Sequence, residues 1–144
     1  MKKIAVLIGV VLSLFGYLSK NFDRIQPFPN KTTTDDSALT SAYTNRKSDV
    51  QVTGSGVVIK NLADDTSASR HQKFILRLAS GQTLLIAHNI DLAPRINSLR
   101  KGDTVKFYGE YEWNAKGGVV HWTHHDPNGN HVGGWLKHSG NIYQ

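Results

Sequence analysis

Residues Asp103 to His124 read DTVKFYGEYEWNAKGGVVHWTH. In an extended chain, side chains alternate between faces. Val105, Phe107, Gly109, Tyr111 and Trp113 therefore share one side, and Lys106, Tyr108, Glu110 and Glu112 the other. A half-buried strand has this pattern, and the turn-forming run Asn114-Ala-Lys-Gly-Gly118 folds it back onto a second strand, Val119 to His124. With Asn114–Gly117 as the loop, Trp113 faces Gly118. Counting back puts Glu110 opposite His121, Tyr108 opposite Thr123 and Lys106 opposite His125. A carboxylate, a phenol and an imidazole then lie on one polar face, with opposed Cβ atoms about 4.5–5.5 Å apart. A slip of one residue would send these groups to the other side.

Upstream, the chain carries the same kind of signal. VQVTGSGVVIK, from Val50, is β-rich, and Gly54 and Gly56 mark a bulge or a sharp bend. LADDTSASR is a polar loop. HQKFILRLAS sets Phe74, Leu76 and Leu78 against Lys73, Ile75 and Arg77. Ser80-Gly81 turns the chain into QTLLIAHNI, with Leu84, Ile86 and His88 on one side. DLAPRINSLRKGD then reads as a short helix, with Asp91 at its cap, Pro94 in its first turn and Gly102 at its stop. Three strands, a short helix and two more strands is the order of an all-β, five-stranded OB-like barrel with its helix between strands three and four. The entry L-x-x-G-D-x-V, Leu99 to Val105, fits the start of strand four.

At 144 residues the chain has room for one ordinary domain, expected over residues 49–144. MKKIAVLIGVVLSLFGYLSK places two lysines before a fifteen-residue apolar run, Ile4 to Leu18. That is the layout of a secretory leader, and the run is short for a membrane span of roughly 20 residues. Residues 1–20 are thus expected to act as a signal peptide or signal anchor. Export to the periplasm or outside follows, with the inner membrane as partner only if the leader is retained. Residues 21–48 read as a polar linker, with a short helix possible in DDSALTSAY. The formal charge of +6 includes Lys2, Lys3 and Lys20; beyond them 14 Lys and Arg face 11 Asp and Glu, or +3. A balance that small does not by itself call for nucleic acid. With no cysteine, the chain has no disulfide-linked partner, no thiolate metal site and no cysteine nucleophile.

The blocks HQKFILRLASGQTLLIAHNIDLAPRI, GDTVKFYGEYEWN and GGVVHWTHHDPNGNHVGGW resemble the bacterial family called domain of unknown function 3465. The likeness runs from about Gly54 to Tyr143, with HNIDLAPR and HWTHHDP as its distinctive strings. That resemblance implies an exported small domain and no particular activity, so function has to be read from the residues.

Four of the seven histidines, His121, His124, His125 and His131, fall within eleven residues. One reading is a divalent metal site, zinc foremost, held by His121, His125, Asp126 and His131, with Glu110 as a ligand or behind one. The spacing matches no established zinc motif. A second reading is phosphodiester hydrolysis, on nucleic acid. His121 would act as acid or base, with His71, His88 and Glu110 converging on it and Arg77, Arg95 and Lys106 steadying the phosphate. Convergence of His71, His88 and His121 is its test. A third reading is a non-catalytic module for nucleic acid or glycan, with Tyr108, Tyr111, Trp113, Trp122 and Trp135 as its aromatic surface and Tyr108 and Trp122 foremost, since Tyr111 and Trp113 fall on the apolar side of their strand. The bland alternative is that the imidazoles cap loops and bond to backbone. Asn89 and Asp91 are expected to cap, Asp64-Asp65 to solvate a turn or hold a cation near His71, and Asn128-Gly129 and Gly133-Gly134 to form turns.

Overall fold

The computed structural model describes residues 34–144. Helix α1 (Thr34–Thr44) is followed by β1 (Val50–Asn61), β2 (His71–Leu78), β3 (Thr83–Asn89), β4 (Thr104–Glu112), β5 (Val119–His121), β6 (Trp135–His138) and β7 (Asn141–Tyr143). The strands are ordered β1-β2-β3-β5-β4, and β4 pairs back onto β1, closing a five-stranded barrel. Every pairing in the ring is antiparallel except β3 with β5, which is parallel. This is the OB arrangement, a small barrel without free edges around the ring.

Residue alternation builds the interior. Val52 and Val58 of β1, Phe74 and Leu76 of β2, Leu84 and Ile86 of β3, Val105, Phe107 and Tyr111 of β4, and Val120 of β5 are all buried. β1 serves two partners, pairing with β4 from Val50 to Val57 and with β2 from Gly56 to Asn61. Its glycines lie at that change of partner. A Cβ on Gly54 would fall 2.6 Å from Phe107 Cζ, so the missing side chain lets β1 bend over the Phe107 ring. The bulge itself comes later, between Val58 and Lys60.

The described residues hold one helix, and it precedes β1, within the stretch read as linker. Leu39 and Ala42 face the core, and Asp36 accepts a bond from the Ser80 amide in the β2–β3 turn (3.1 Å). Trp113 Nε1–H donates to the Tyr43 carbonyl and Tyr43 OH to the Ala115 carbonyl, so α1 lies against the barrel end that carries the β2–β3 and β4–β5 turns. The helix expected over residues 91–102 is a series of turns instead. Ala93, Ile96 and Leu99 are buried beneath it. Their backbone is held by side chains. Gln72 bonds both the N–H and the C=O of Ile96, His88 bonds the Pro94 carbonyl, and Asn61 bonds the Leu99 carbonyl. With those partners supplied from the strands, no helical ladder is needed to satisfy the segment.

β6 and β7 extend the sheet beyond the five expected strands. β6 continues from β4, and the loop Ser139-Gly140, with φ of 48° and 80°, makes the two-residue hairpin into β7. The leader lies outside the described residues. Among those described, no helix is long and apolar enough to cross a membrane.

Candidate functional site

The expected register of β4 on β5 holds where β5 exists: Glu110 pairs with His121 and Glu112 with Val119. On its other side Glu110 faces Gln51 of β1, which makes an outward row of Gln51, Glu110 and His121 across three strands. The pairing then breaks. Trp122 has a left-handed φ of 54°, which ends β5 and interrupts the alternation. Thr123 therefore turns inward, fully buried, and β6 takes its place: Tyr108 pairs with Trp135 and Lys106 with Lys137. Neither Thr123 nor His125 faces β4 in the way a continued strand would require.

One ligand atom from each of Glu110, Glu112 and His121 lies within 4.8 Å of the other two. His121 Nε2 is 3.4 Å from Glu112 Oε1, yet it is buried with no hydrogen-bond partner, as is Gln51 Nε2 in the same row. Two ligands held about 2.0–2.2 Å from a tetrahedral ion sit roughly 3.3–3.6 Å apart, a range that takes in the His121–Glu112 separation. Glu110 is the most enclosed of the set, its side chain 13% exposed, and its Oε2 is bonded to His131 Nε2. His131 Nδ1–H donates to the Val132 carbonyl. Its ring lies flat on Trp122, centroids 3.9 Å apart and 9° between planes. Desolvation works against the charged ring, but the Val132 carbonyl, Glu110 and Asp126 outweigh it and raise the His131 pKa above its ordinary value.

The expected ligand set is only partly assembled. His121 belongs to the cluster and His131 joins it through Glu110. Asp126 does not: its carboxylate accepts the amides of Asn128, Asn130 and His131, foremost that of Asn128, which together hold its pKa below the usual range. It fixes the loop that delivers His131. His125 is exposed on that loop, beside Gly133. Asp126→Ala is expected to lower the melting temperature by a few degrees. It should leave any bound ion in place, as elemental analysis would show; a lost ion would make Asp126 a ligand after all. Glu112 escaped the sequence reading, although it lies two residues from Glu110 on the same outward face. That spacing is the signal that would have found it.

The catalytic convergence is absent. His88 lies on the interior face of β3, fully buried. Its Nε2–H donates to the Pro94 carbonyl (3.0 Å), which leaves Nδ1 to accept from the Thr123 hydroxyl (2.8 Å). Burial pushes its pKa down to about 4, so the ring is a neutral core group. His71 begins β2, faces outward and bonds the Ser69 carbonyl, while its backbone bridges Asp65. With His88 inside the barrel and His121 outside, these three imidazoles cannot share one substrate atom. Arg95 is paired with Asp64 and Arg70 with Asp91, so the loop carboxylates are committed to ion pairs. Asn89 bonds the Asp91 amide in a turn. Arg77 projects from β2 opposite Val57 and Thr83, away from the Glu110 row. Tyr108 and Lys106 continue the outward face of β4 beside β6.

The family described as "Protein of unknown function (DUF3465)" matches residues 25–144, most of the chain. The chain belongs to that family. The match takes in α1, the whole barrel and every residue of the Glu110 cluster. No curated protein matches the chain. The family description assigns no activity, so the site stands on its own geometry.

Proposed function

We propose that this domain is a divalent-metal-binding OB module, taking one ion, zinc foremost, through Glu110, Glu112 and His121. The observation that carries the reading is the buried, unpartnered Nε2 of His121 beside two carboxylates that share its face. A neutral imidazole and two carboxylates suit zinc and its borderline neighbours better than magnesium or calcium, which prefer oxygen alone. A cation also relieves the repulsion of two carboxylates fixed two residues apart on one strand. His131, held by Trp122 and bonded to Glu110, orients that carboxylate from outside the coordination sphere.

Binding is favoured over phosphodiester hydrolysis because the acid–base set on which hydrolysis depended is divided between the inside and outside of the barrel. Export, supported by the arrangement of residues 1–20, completes the reading: a small metal-binding module that works outside the cytoplasm. Elemental analysis and calorimetric titration of the purified chain with zinc test it. One ion per chain is the expected result. No uptake at tens of micromolar free zinc overturns the reading.

A further inference from the structure

The outward face of β4 changes character below Glu110. Tyr108 and Lys106 pair across the ladder with Trp135 and Lys137 of β6. Like charges set directly opposite on antiparallel strands repel, and among the described residues neither lysine has an ion-pair partner. Their lateral neighbours carry no charge: Ser55 of β1 faces Lys106, and Ile142 of β7, 53% exposed, faces Lys137. Glu110, further along β4, is bonded to His131, and Asp103, just before β4, to His138 and the Arg100 amide. Two lysines without a carboxylate partner are therefore set directly opposite each other on the ladder.

Aromatic surface adjoins them. The rings of Tyr108 and Trp135 lie 6.1 Å apart at 36°, and Lys137 Nζ stands 4.2 Å from the Trp135 ring centre. Beside the lysines opens a cleft of about 380 Å³, bordered by Thr104, Lys106, Lys137, His138 and Ile142. His138 also borders the cleft. The side chain is 4% exposed and its Nε2–H donates to Asp103, yet its Nδ1 is buried without a partner.

We infer that Lys106, Tyr108, Trp135 and Lys137 form a binding strip for single-stranded nucleic acid, with backbone phosphate at the paired lysines and a base against the Tyr108–Trp135 pair. Cations that follow a phosphodiester backbone beside rings that accept any base are the usual means of holding a single strand without reading its sequence. A neutral glycan would use the rings but leave the two ammonium groups unmatched. The strip shares no residue with the metal cluster, so its test is run in chelator.

Fluorescence anisotropy of a labelled oligothymidylate, titrated with the full chain at several salt concentrations, supplies the measurement. Each phosphate neutralised on a single strand contributes about −0.7 to the log–log salt slope, so a slope of roughly −1.4 is expected. The double variant Lys106→Gln/Lys137→Gln, at one exposed and one half-buried position and with folding checked by a thermal melt, should bind at least tenfold more weakly and flatten the slope toward zero. Trp135→Ala should weaken binding about 5- to 100-fold with the slope retained. Three outcomes overturn the inference: no binding by the parent chain at low salt, a slope unchanged in the double lysine variant, or salt-independent binding of an uncharged oligosaccharide that competes with the oligonucleotide.

Discussion

Replacing His121 with alanine is expected to abolish the zinc-dependent stabilisation that the proposed site predicts and to reduce zinc affinity by at least a hundredfold. An ion bound only by the folded state stabilises it by about 2.7 kcal/mol at a hundred times its dissociation constant. For a domain of this size that is a rise in melting temperature on the order of 10 °C. His121 supplies the only nitrogen among the three grouped ligand atoms, and without it two partly exposed carboxylates remain. The apo protein should change little, since the His121 ring is a third exposed and Nε2 makes no hydrogen bond. The two readouts separate the alternatives. Loss of the zinc-dependent rise with the apo melting temperature kept identifies a ligand. A collapse of the apo melting temperature would make His121 a structural residue and end the metal assignment at this row. Glu112→Gln should weaken the ion by a smaller factor, and Glu110→Gln should both weaken it and free His131.

The second large effect is acid sensitivity from His88. Its folded-state pKa is near 4, against 6.5 for an ordinary histidine, with burial as the main cause and the bond to the Pro94 carbonyl opposing it. Between those values the unfolded chain binds a proton that the folded chain refuses, so stability falls as pH falls through 6.5 toward 4. Below 4 both states are protonated at this residue and its contribution levels off. The full change amounts to about 3 kcal/mol. His131 works in the opposite direction: its raised pKa stabilises the fold below 6.5 and that contribution fades as pH rises. The carboxylates of Asp64, Asp65, Asp91, Asp103 and Asp126 are held below 3.8, so what they contribute is lost only in stronger acid. Urea unfolding at pH 7, 5.5 and 4 measures the effect. His88→Gln should be less stable than the parent at pH 7 and nearly insensitive to pH across that window. A parent stability that stays flat from 6.5 to 4 would sink the description of His88 as a neutral core group.

Alternation and turn chemistry carried the sequence reading where they were strong. The β4–β5 register followed from strict alternation in Val105 to Trp113 and a glycine-rich turn, and Glu110 does meet His121. The same alternation placed His88 with Leu84 and Ile86, which are core residues. Assigning His88 to a catalytic site set that parity aside. β6 and β7 were legible in principle, since WLKH and NIY flank Ser139-Gly140, but segments of four and three residues carry little periodic signal. The cap and stop signals of Asp91, Pro94 and Gly102 imitated a helix, but turns whose backbone is bonded by Gln72, His88 and Asn61 use the same residues.

From sequence alone came the all-β barrel, its interior faces and one edge of the Glu110 cluster, because a period of two in hydrophobicity dictates which side chains go inside. Tertiary structure decided the rest. A left-handed Trp122 turned Thr123 inward to His88 and gave the outward face of β4 to β6. α1 was drawn from a polar arm onto the barrel by Leu39 and Ala42. The Asp126 turn brought His131 back to Glu110. Each of these depends on contacts between residues far apart in the chain, and local alternation holds no record of them.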